Sequence, residues 1–298
     1  MEYGDKHILV LGAGASGIGA SWVLAQVGAH VVLNDYKPVT LPATEEGRLV
    51  SAGVEIITGR QDESLLDGVD RIVISPGISL DIPIVKAAQA RGIDVVSEVE
   101  VAYELSKSPI VAVTGTNGKT TTTTLLTKVL EGTGKPVRVG GNIGDSLSEV
   151  AYSMPADGFL VAELSSYQLE TIKHFRPIGA IMLNITPDHL ARHKTMENYI
   201  AAKERIFENQ LSTDFMVLNI DDPIVADMKH CVPSHILEIS QHQVVSNGAY
   251  YDKGQCYVTK NGMATPVIGS ADIHIPGSHN IENILTVIAL TYALGVPV

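Results

Sequence analysis

Short β-branched runs alternate with helical stretches over residues 7 to 105. "HILVL", "HVVLND", "VEIIT", "RIVIS" and "IDVVS" read as strands, separated by segments such as "GASWVLAQVG" and "PIVKAAQARG". That alternation predicts a parallel sheet with helices packed around it. The polar "ELSKSP" at 104 to 109 marks a boundary. A second strand series follows, through "IVAVTG", "FLVAEL", "AIMLNIT" and "FMVLN". Residues 236 to 275 carry hairpin signals, as in "NGAYYDKGQCYVTKNG", and predict an antiparallel excursion. No fixed-period repeat is present.

Two helical patterns stand out. In "YIAAKERIF" (199 to 207), Tyr199, Ile200, Ile206 and Phe207 share one face, with Met196 close by, at roughly 100° per residue. Lys203 sits in the middle of that face, while Glu197, Glu204 and Glu208 point away. A lysine so placed either snorkels out or has a partner that justifies its burial. The late apolar segment "IENILTVIALTYALGVPV" carries Glu282 and Asn283 and is short for a bilayer, so it reads as a core helix. The first apolar run, "HILVLGAGA", lacks the core and cleavage pattern of a signal peptide.

Composition narrows the function classes. The 298 residues leave room for about two domains. With 45% hydrophobic and 18% charged residues the chain can bury substantial cores. A net charge of −12 argues against nucleic acid or an anionic membrane as partner. Any phosphate must therefore be held locally, by loops and helix ends. Cys231 and Cys256 have no metal-ligand spacing and read as free thiols of a cytoplasmic protein.

"VAVTGTNGKTTTTTLL" places a buried strand, then Gly115, Asn117, Gly118, Lys119 and Thr120, then a helix. Glycines let backbone N–H groups converge on phosphate oxygens, and the helix N-terminus adds partial positive charge. Lys119 would neutralise the β- and γ-phosphates and the Thr120 hydroxyl would reach Mg²⁺. Val113 stands where the usual pattern has its first glycine. Five consecutive threonines start a helix poorly on propensity alone, a deficit that a bound phosphate would offset.

An earlier glycine loop, "VLGAGASGIGA", supplies Gly12, Gly14 and Gly17 after the first strand, and Asp35 closes the second. Alone, this fingerprint also fits a nicotinamide-dependent oxidoreductase. An ATP loop about a hundred residues later counts against that reading. "ISPGI", with Ser75, Pro76 and Gly77, ends the fourth strand at the ligand-binding edge of such folds, or is a plain turn.

Glu163 closes "GFLVAEL" where a carboxylate faces the phosphate loop, as a hard oxygen ligand for Mg²⁺ or as a helix cap. His189 follows "AIMLNIT", and the helix of Lys203 comes next. Singly, each residue has a structural explanation. Together they lie at the carboxyl ends of strands flanking one loop. Burial disfavours an ammonium, and a neutral amine near a metal can add carbon dioxide to become a carbamate. A direct lysine–phosphate contact competes with that reading.

"GTNGKTT", "GGNIG" (140 to 144), "ELSSYQLE" (163 to 170), "NITPDHL" (184 to 190), "YIAAKERIF" and "GSHNIENIL" (277 to 285) resemble the Mur ligases of peptidoglycan synthesis. "GGNIG" with "ELSSYQLE" is similar to the D-glutamate-adding branch, and the resemblance runs along essentially the whole chain. It implies an α/β protein: a Rossmann-like UDP-sugar domain (1–107), then a P-loop ATPase-type domain (108–298) with an antiparallel excursion. It further implies an ATP-dependent ligase that adds D-glutamate to UDP-N-acetylmuramoyl-L-alanine through an acyl phosphate, as a monomer without membrane insertion.

Carried over by position, Ala15, Ser16, Asp35, Tyr36, Lys37, Ser75 and Gly77 fall at the uridine diphosphate end. Asn142, Ser165 and Gln168 fall at the muramoyl-alanine end. Gly115, Thr116, Asn117, Gly118, Lys119, Thr120 and Thr121 form the ATP loop, and Asn280 and Asn283 lie on the adenine side. Thr120 and Glu163 match ligands of one Mg²⁺, and His189 with a carbamylated Lys203 match those of a second.

Two departures accompany the resemblance. Ala191 stands where an aspartate is usual, and a third, amino-acid-binding domain is absent, so the chain alone is expected to be inactive. A non-catalytic nucleotide- or UDP-sugar-binding protein, and another Mur specificity, are the alternatives.

Overall fold

The computed structural model describes residues 3–275 and 277–297. The outermost expected domain limits, 1 and 298, lie outside the described residues. The chain divides into two compact units. One contains the residues up to Lys107 together with Gly144–Met154 and Tyr167–Phe175. The other contains Ser108–Ile143, Pro155–Ser166 and the chain from Arg176 on.

The first unit holds five parallel strands, β1 (His7–Leu11), β2 (His30–Asp35), β3 (Glu55–Thr58), β4 (Arg71–Ile74) and β5 (Asp94–Ser97), in the order β3-β2-β1-β4-β5. In β1, Ile8 and Val10 enter one apolar cluster with Leu33 and Val73. Leu9 and Leu11 enter another with Ile72 and Val85. Both faces are covered, which explains why the strands read as unbroken apolar runs.

Two segments from later in the chain complete this unit, and each supplies donors to a buried acid. Glu98 Oε1 accepts from Ser146 Oγ (2.6 Å) and from the Ser148 N–H (2.6 Å). Burial pushes the Glu98 carboxyl up despite these bonds. Glu100 accepts the N–H groups of Lys173 (2.7 Å), His174 (2.7 Å) and Phe175 (3.1 Å).

Gly17, in the helix Ala15–Gln26, has no room for a side chain. A Cβ there would lie 1.8 Å from Gly12 O. Because the obstacle is backbone, rotamer changes give no relief, and Gly17→Ala is expected to cost about 3 kcal/mol in urea unfolding. An unchanged unfolding midpoint would show that the helix can slide away from the loop.

Among its described residues the second unit has nine strands: β6 (Ile110–Thr114), β7 (Val137–Gly141), β8 (Phe159–Glu163), β9 (Gly179–Met182), β10 (Phe215–Asn219), β11 (His235–Ser240), β12 (Gly248–Asp252), β13 (Gln255–Lys260) and β14 (Met263–Gly269). Their order is β14-β13-β12-β11-β10-β9-β6-β8-β7. The antiparallel excursion is narrower than the 236 to 275 expected. β11 pairs parallel with both β10 and β12, and among the described residues only β12–β13 and β13–β14 run antiparallel. The fold class is otherwise as expected: α/β, with a parallel sheet of five strands and a mixed sheet of nine.

The helices Lys119–Glu131 and His279–Ala293 cover this sheet, burying Leu126, Leu130, Leu285 and Leu290 against Val111, Val161 and Ile181. The late apolar segment is thus a core helix. Among the described residues no helix is long and apolar enough to cross a membrane.

Candidate functional site

β6 lies between β8 and β9, so the loop that leaves its carboxyl end is flanked by the ends of both neighbours. Gly115 (φ 149°) and Gly118 (φ 84°) adopt conformations that side chains disfavour. A Cβ on Gly118 would also sit 2.7 Å from Asn283 Oδ1. The helix begins at Lys119 with no side-chain cap, leaving its first turn suited to an anion.

Lys119 Nζ folds back to donate to Gly115 O (3.1 Å) and Thr116 O (2.8 Å). Burial lowers its pKa, opposed by the charges of Glu163 and Asp188. Lys203 does not snorkel. It is 2% exposed, and its Nζ donates to the same Gly115 carbonyl (2.7 Å) and to Thr114 Oγ1 (3.3 Å). The Tyr199 ring lies 5.0 Å from that nitrogen. Burial first, then the charge of Lys119, pushes Lys203 down to about 7, with Asp188 opposing.

Glu163 is buried at the end of β8. Its Oε1 accepts from Asn142 Nδ2 (2.9 Å), and its Oε2 is buried with no hydrogen-bond partner. A carboxylate oxygen left bare in this way suits a hard cation. Thr120 is exposed on the first turn of the helix. Among the described residues no three His, Cys, Asp or Glu side chains gather as a metal cluster.

His189 has a left-handed backbone (φ 55°) and a side chain 44% exposed, with Nε2 3.5 Å from Asp188 Oδ2. Tyr199 connects it to Lys203: the His189 ring meets Tyr199 edge-on at 6.3 Å. Ala191 is exposed on the short helix Leu190–His193. Asn283 Oδ1 accepts from Thr122 Oγ1 (3.1 Å), and its Nδ2 donates to Asn280 Oδ1 (3.0 Å), which ties both asparagines to the phosphate-loop helix. Ser165 follows β8, half-buried, whereas the buried Gln168 belongs to the first unit.

In the first unit, Asp35 ties the glycine loop to β2, accepting from the N–H groups of Ala13 (3.0 Å) and Lys37 (3.0 Å). Ser75 Oγ donates to Gly12 O (3.2 Å). Ala15 and Ser16 open a helix that likewise lacks a side-chain cap. Tyr36, Lys37 and Gly77 are exposed beside them, at the carboxyl edge where the strand order reverses between β1 and β4.

Sequence reasoning passed over four residues of the second unit. Asn184 and Thr186 hydrogen-bond to the phosphate loop. Tyr199, taken only as an apolar position, shares a hydrogen bond with Thr116 Oγ1 (3.0 Å). His193 is buried against Tyr199 and bonds through Nε2 to Ser166 Oγ (2.9 Å). The signal available for Tyr199 was its i, i+4 spacing from Lys203 on one helix face.

Residues 6–97 match the N-terminal domain of MurD-like Mur ligases, and residues 113–291 match the Mur ligase middle domain. The chain is 44% identical to the UDP-N-acetylmuramoylalanine–D-glutamate ligase of Thermoanaerobacter sp. (strain X514), over 99% of this chain and 65% of that protein. It is 41% identical to the same-named ligase of Halalkalibacterium halodurans, over 99% and 64%. The chain therefore spans about two thirds of these relatives' length.

A similar fold occurs in the UDP-N-acetylmuramate:L-alanyl-gamma-D-glutamyl-meso-diaminopimelate ligase from Neisseria meningitides (TM-score 0.66, 21% identity, covering 98% of this chain and 94% of that one). It occurs also in the MurF ligase from Thermotoga maritima in complex with ADP (TM-score 0.51, 17% identity, 90% and 61%). Two matching domains in the same order, one of them covering more than half of the residues, make this chain a member of the Mur ligase family.

Proposed function

We propose that this chain carries the UDP-sugar- and ATP-binding parts of a cytoplasmic, monomeric ligase that joins D-glutamate to UDP-N-acetylmuramoyl-L-alanine. The names of relatives at 44% identity support the substrate assignment. The observation that carries the chemistry is the convergence of Lys119 and Lys203 on the Gly115 carbonyl. In this reading residues 1–107 and 108–298 are the two functional domains. D-glutamate would be bound by the part of the relatives that this chain does not span.

A carboxylate is a poor electrophile and is repelled by the γ-phosphate of ATP. The loop from Gly115 to Thr121 would hold the phosphates, and Lys119 would leave its two carbonyls to neutralise them. Asn280 and Asn283 would lie toward the adenine. Ala15, Ser16, Asp35, Tyr36, Lys37, Ser75 and Gly77 would hold the uridine diphosphate, and Asn142, Ser165 and Gln168 the muramoyl-alanine end.

Thr120 and Glu163 would hold one Mg²⁺, and His189 with Lys203 a second. When bound, these ions would screen the charge that gathers as carboxylate and triphosphate meet. The alanyl carboxylate oxygen then attacks the γ-phosphorus, with ADP leaving. The D-glutamate amine attacks the resulting acyl phosphate, and phosphate leaves as the amide forms. Placing both reactants in line contributes much of the rate. A neutral Lys203 amine adding carbon dioxide would release one proton, keep an N–H for Gly115 O, and present a carboxylate to the metal.

Calorimetric titration tests the specificity. This chain is expected to bind UDP-N-acetylmuramoyl-L-alanine at least about tenfold more tightly than the precursors lacking alanine or already carrying glutamate. Equal affinity for all three, or binding of NADH instead, contradicts the assignment.

A further inference from the structure

A loop that leaves the N–H groups beyond Asn117 for a phosphate must have its entry, Thr116 and Asn117, held from outside. Here that support comes from the segment after β9. The side chain of Asn184 lies against the backbone of Asn117 and makes both bonds that a neighbouring strand would make. Its Oδ1 accepts the Asn117 N–H (2.8 Å), and its Nδ2 donates to Asn117 O (3.1 Å). Its own backbone carbonyl accepts the Thr116 N–H (2.9 Å).

Thr116 is pinned in turn. Its Oγ1 accepts from the Thr186 N–H (3.0 Å) and donates to Thr186 O (3.2 Å). The shared bond with Tyr199 is then donated by the phenol, because a hydroxyl has one hydrogen to give.

We propose that Asn184 is a positioning residue that presets the phosphate loop, acting through the Asn117 peptide and not through the nucleotide. Only an amide side chain offers a neutral acceptor and a donor side by side. Aspartate has no donor, a hydroxyl cannot span both groups, and glutamine places its amide one carbon too far. With Thr116 and Asn117 held from outside, Gly118 can take its left-handed turn, and the uncapped first turn of the helix is left for the ligand. The inference rests on the phosphate-binding reading of this loop.

The test uses the chain as it stands, with Mg-ADP as the calorimetric probe and amide hydrogen exchange over residues 115–121. In Asn184→Ala and Asn184→Asp, affinity for ADP is expected to fall at least about tenfold, the equivalent of losing two hydrogen bonds. The melting temperature without nucleotide should stay put, and exchange in the loop should accelerate while β1–β5 keep their protection. A merely structural role would move the melting temperature and leave ADP affinity alone.

Affinity within about twofold of the parent in both variants, or unaltered loop exchange, overturns the proposal. If Asn184→Ala loses protection everywhere, the volume-preserving Asp variant decides. If the parent chain itself binds no ADP, the nucleotide reading has failed, and the exchange comparison still judges Asn184.

Discussion

Replacing Lys203 with methionine is expected to make the protein more stable and, in a ligase of the relatives' full length, to abolish amide formation. The stability gain follows from what the ammonium endures. It is buried beside a second lysine, with its pKa at about 7 against an ordinary 10.5. Methionine has similar length and no charge to desolvate. Few groups are orphaned by the change, since Gly115 O still receives Lys119 and Thr114 Oγ1 still donates to Leu164 O.

The gain depends on pH with a definite sign. Between about pH 7 and 10.5 the unfolded chain holds a proton on Lys203 that the folded chain has released. Parent stability from this group therefore rises with pH across that window. The advantage of Lys203→Met is largest at or below pH 7, about 2 kcal/mol after allowing for the lost hydrogen bonds, and shrinks above it. Urea unfolding at pH 6 and pH 9 in CO₂-free buffer measures the difference. A methionine variant less stable than the parent at pH 6 would mean that the ammonium is well solvated.

On the catalytic side, ligation should fall by at least about a thousandfold. In Lys203→Ala, which leaves a cavity, added propionate should restore part of the rate if Lys203 acts as a carbamate. Rescue by small amines instead would favour a direct ammonium–phosphate contact. Full activity without rescue would remove Lys203 from the mechanism.

Glu163→Gln is expected to uncouple nucleotide binding from magnesium. The substitution preserves the shape at the end of β8, and the amide oxygen can still accept from Asn142 Nδ2. It removes the charge and turns the bare Oε2 position into an N–H group that repels cations. In the parent, Mg²⁺ should tighten ATP by about tenfold or more, and in the variant that increment should vanish. Calorimetry with and without EDTA reads it directly. An equal Mg²⁺ increment in both proteins would mean that Oε2 faces no metal.

Much of the fold was legible because its strands are Val/Ile runs bounded by turns, and because β6 feeds straight into a glycine loop and a helix. The place of Lys203 on an apolar helical face was legible too; that it is buried and does not snorkel came from the structure. Other features were not. β7 is a half-exposed edge strand interrupted by Arg138, so its pattern is weak. The direction of β11 is a property of its neighbours and not of "HILEIS" itself. Asn184 and Thr186 lie some seventy residues from the loop they hold, and no local period announces such a pairing. His193 is held by Ser166, 27 residues away, and nothing in its own sequence neighbourhood announces that contact.

The two late segments of the first unit carry a consequence for biosynthesis. Glu98 and Glu100 leave the ribosome long before residues 146–148 and 173–175, which supply their donors. Glu98 lacks its donors until residue 148 is made and Glu100 until residue 175, and burying either carboxylate unpaired is unfavourable. The first unit therefore cannot finish folding when residue 107 has been made, and waits for residue 175. Vectorial synthesis keeps it open while β6, β7 and β8 of the next sheet are being made.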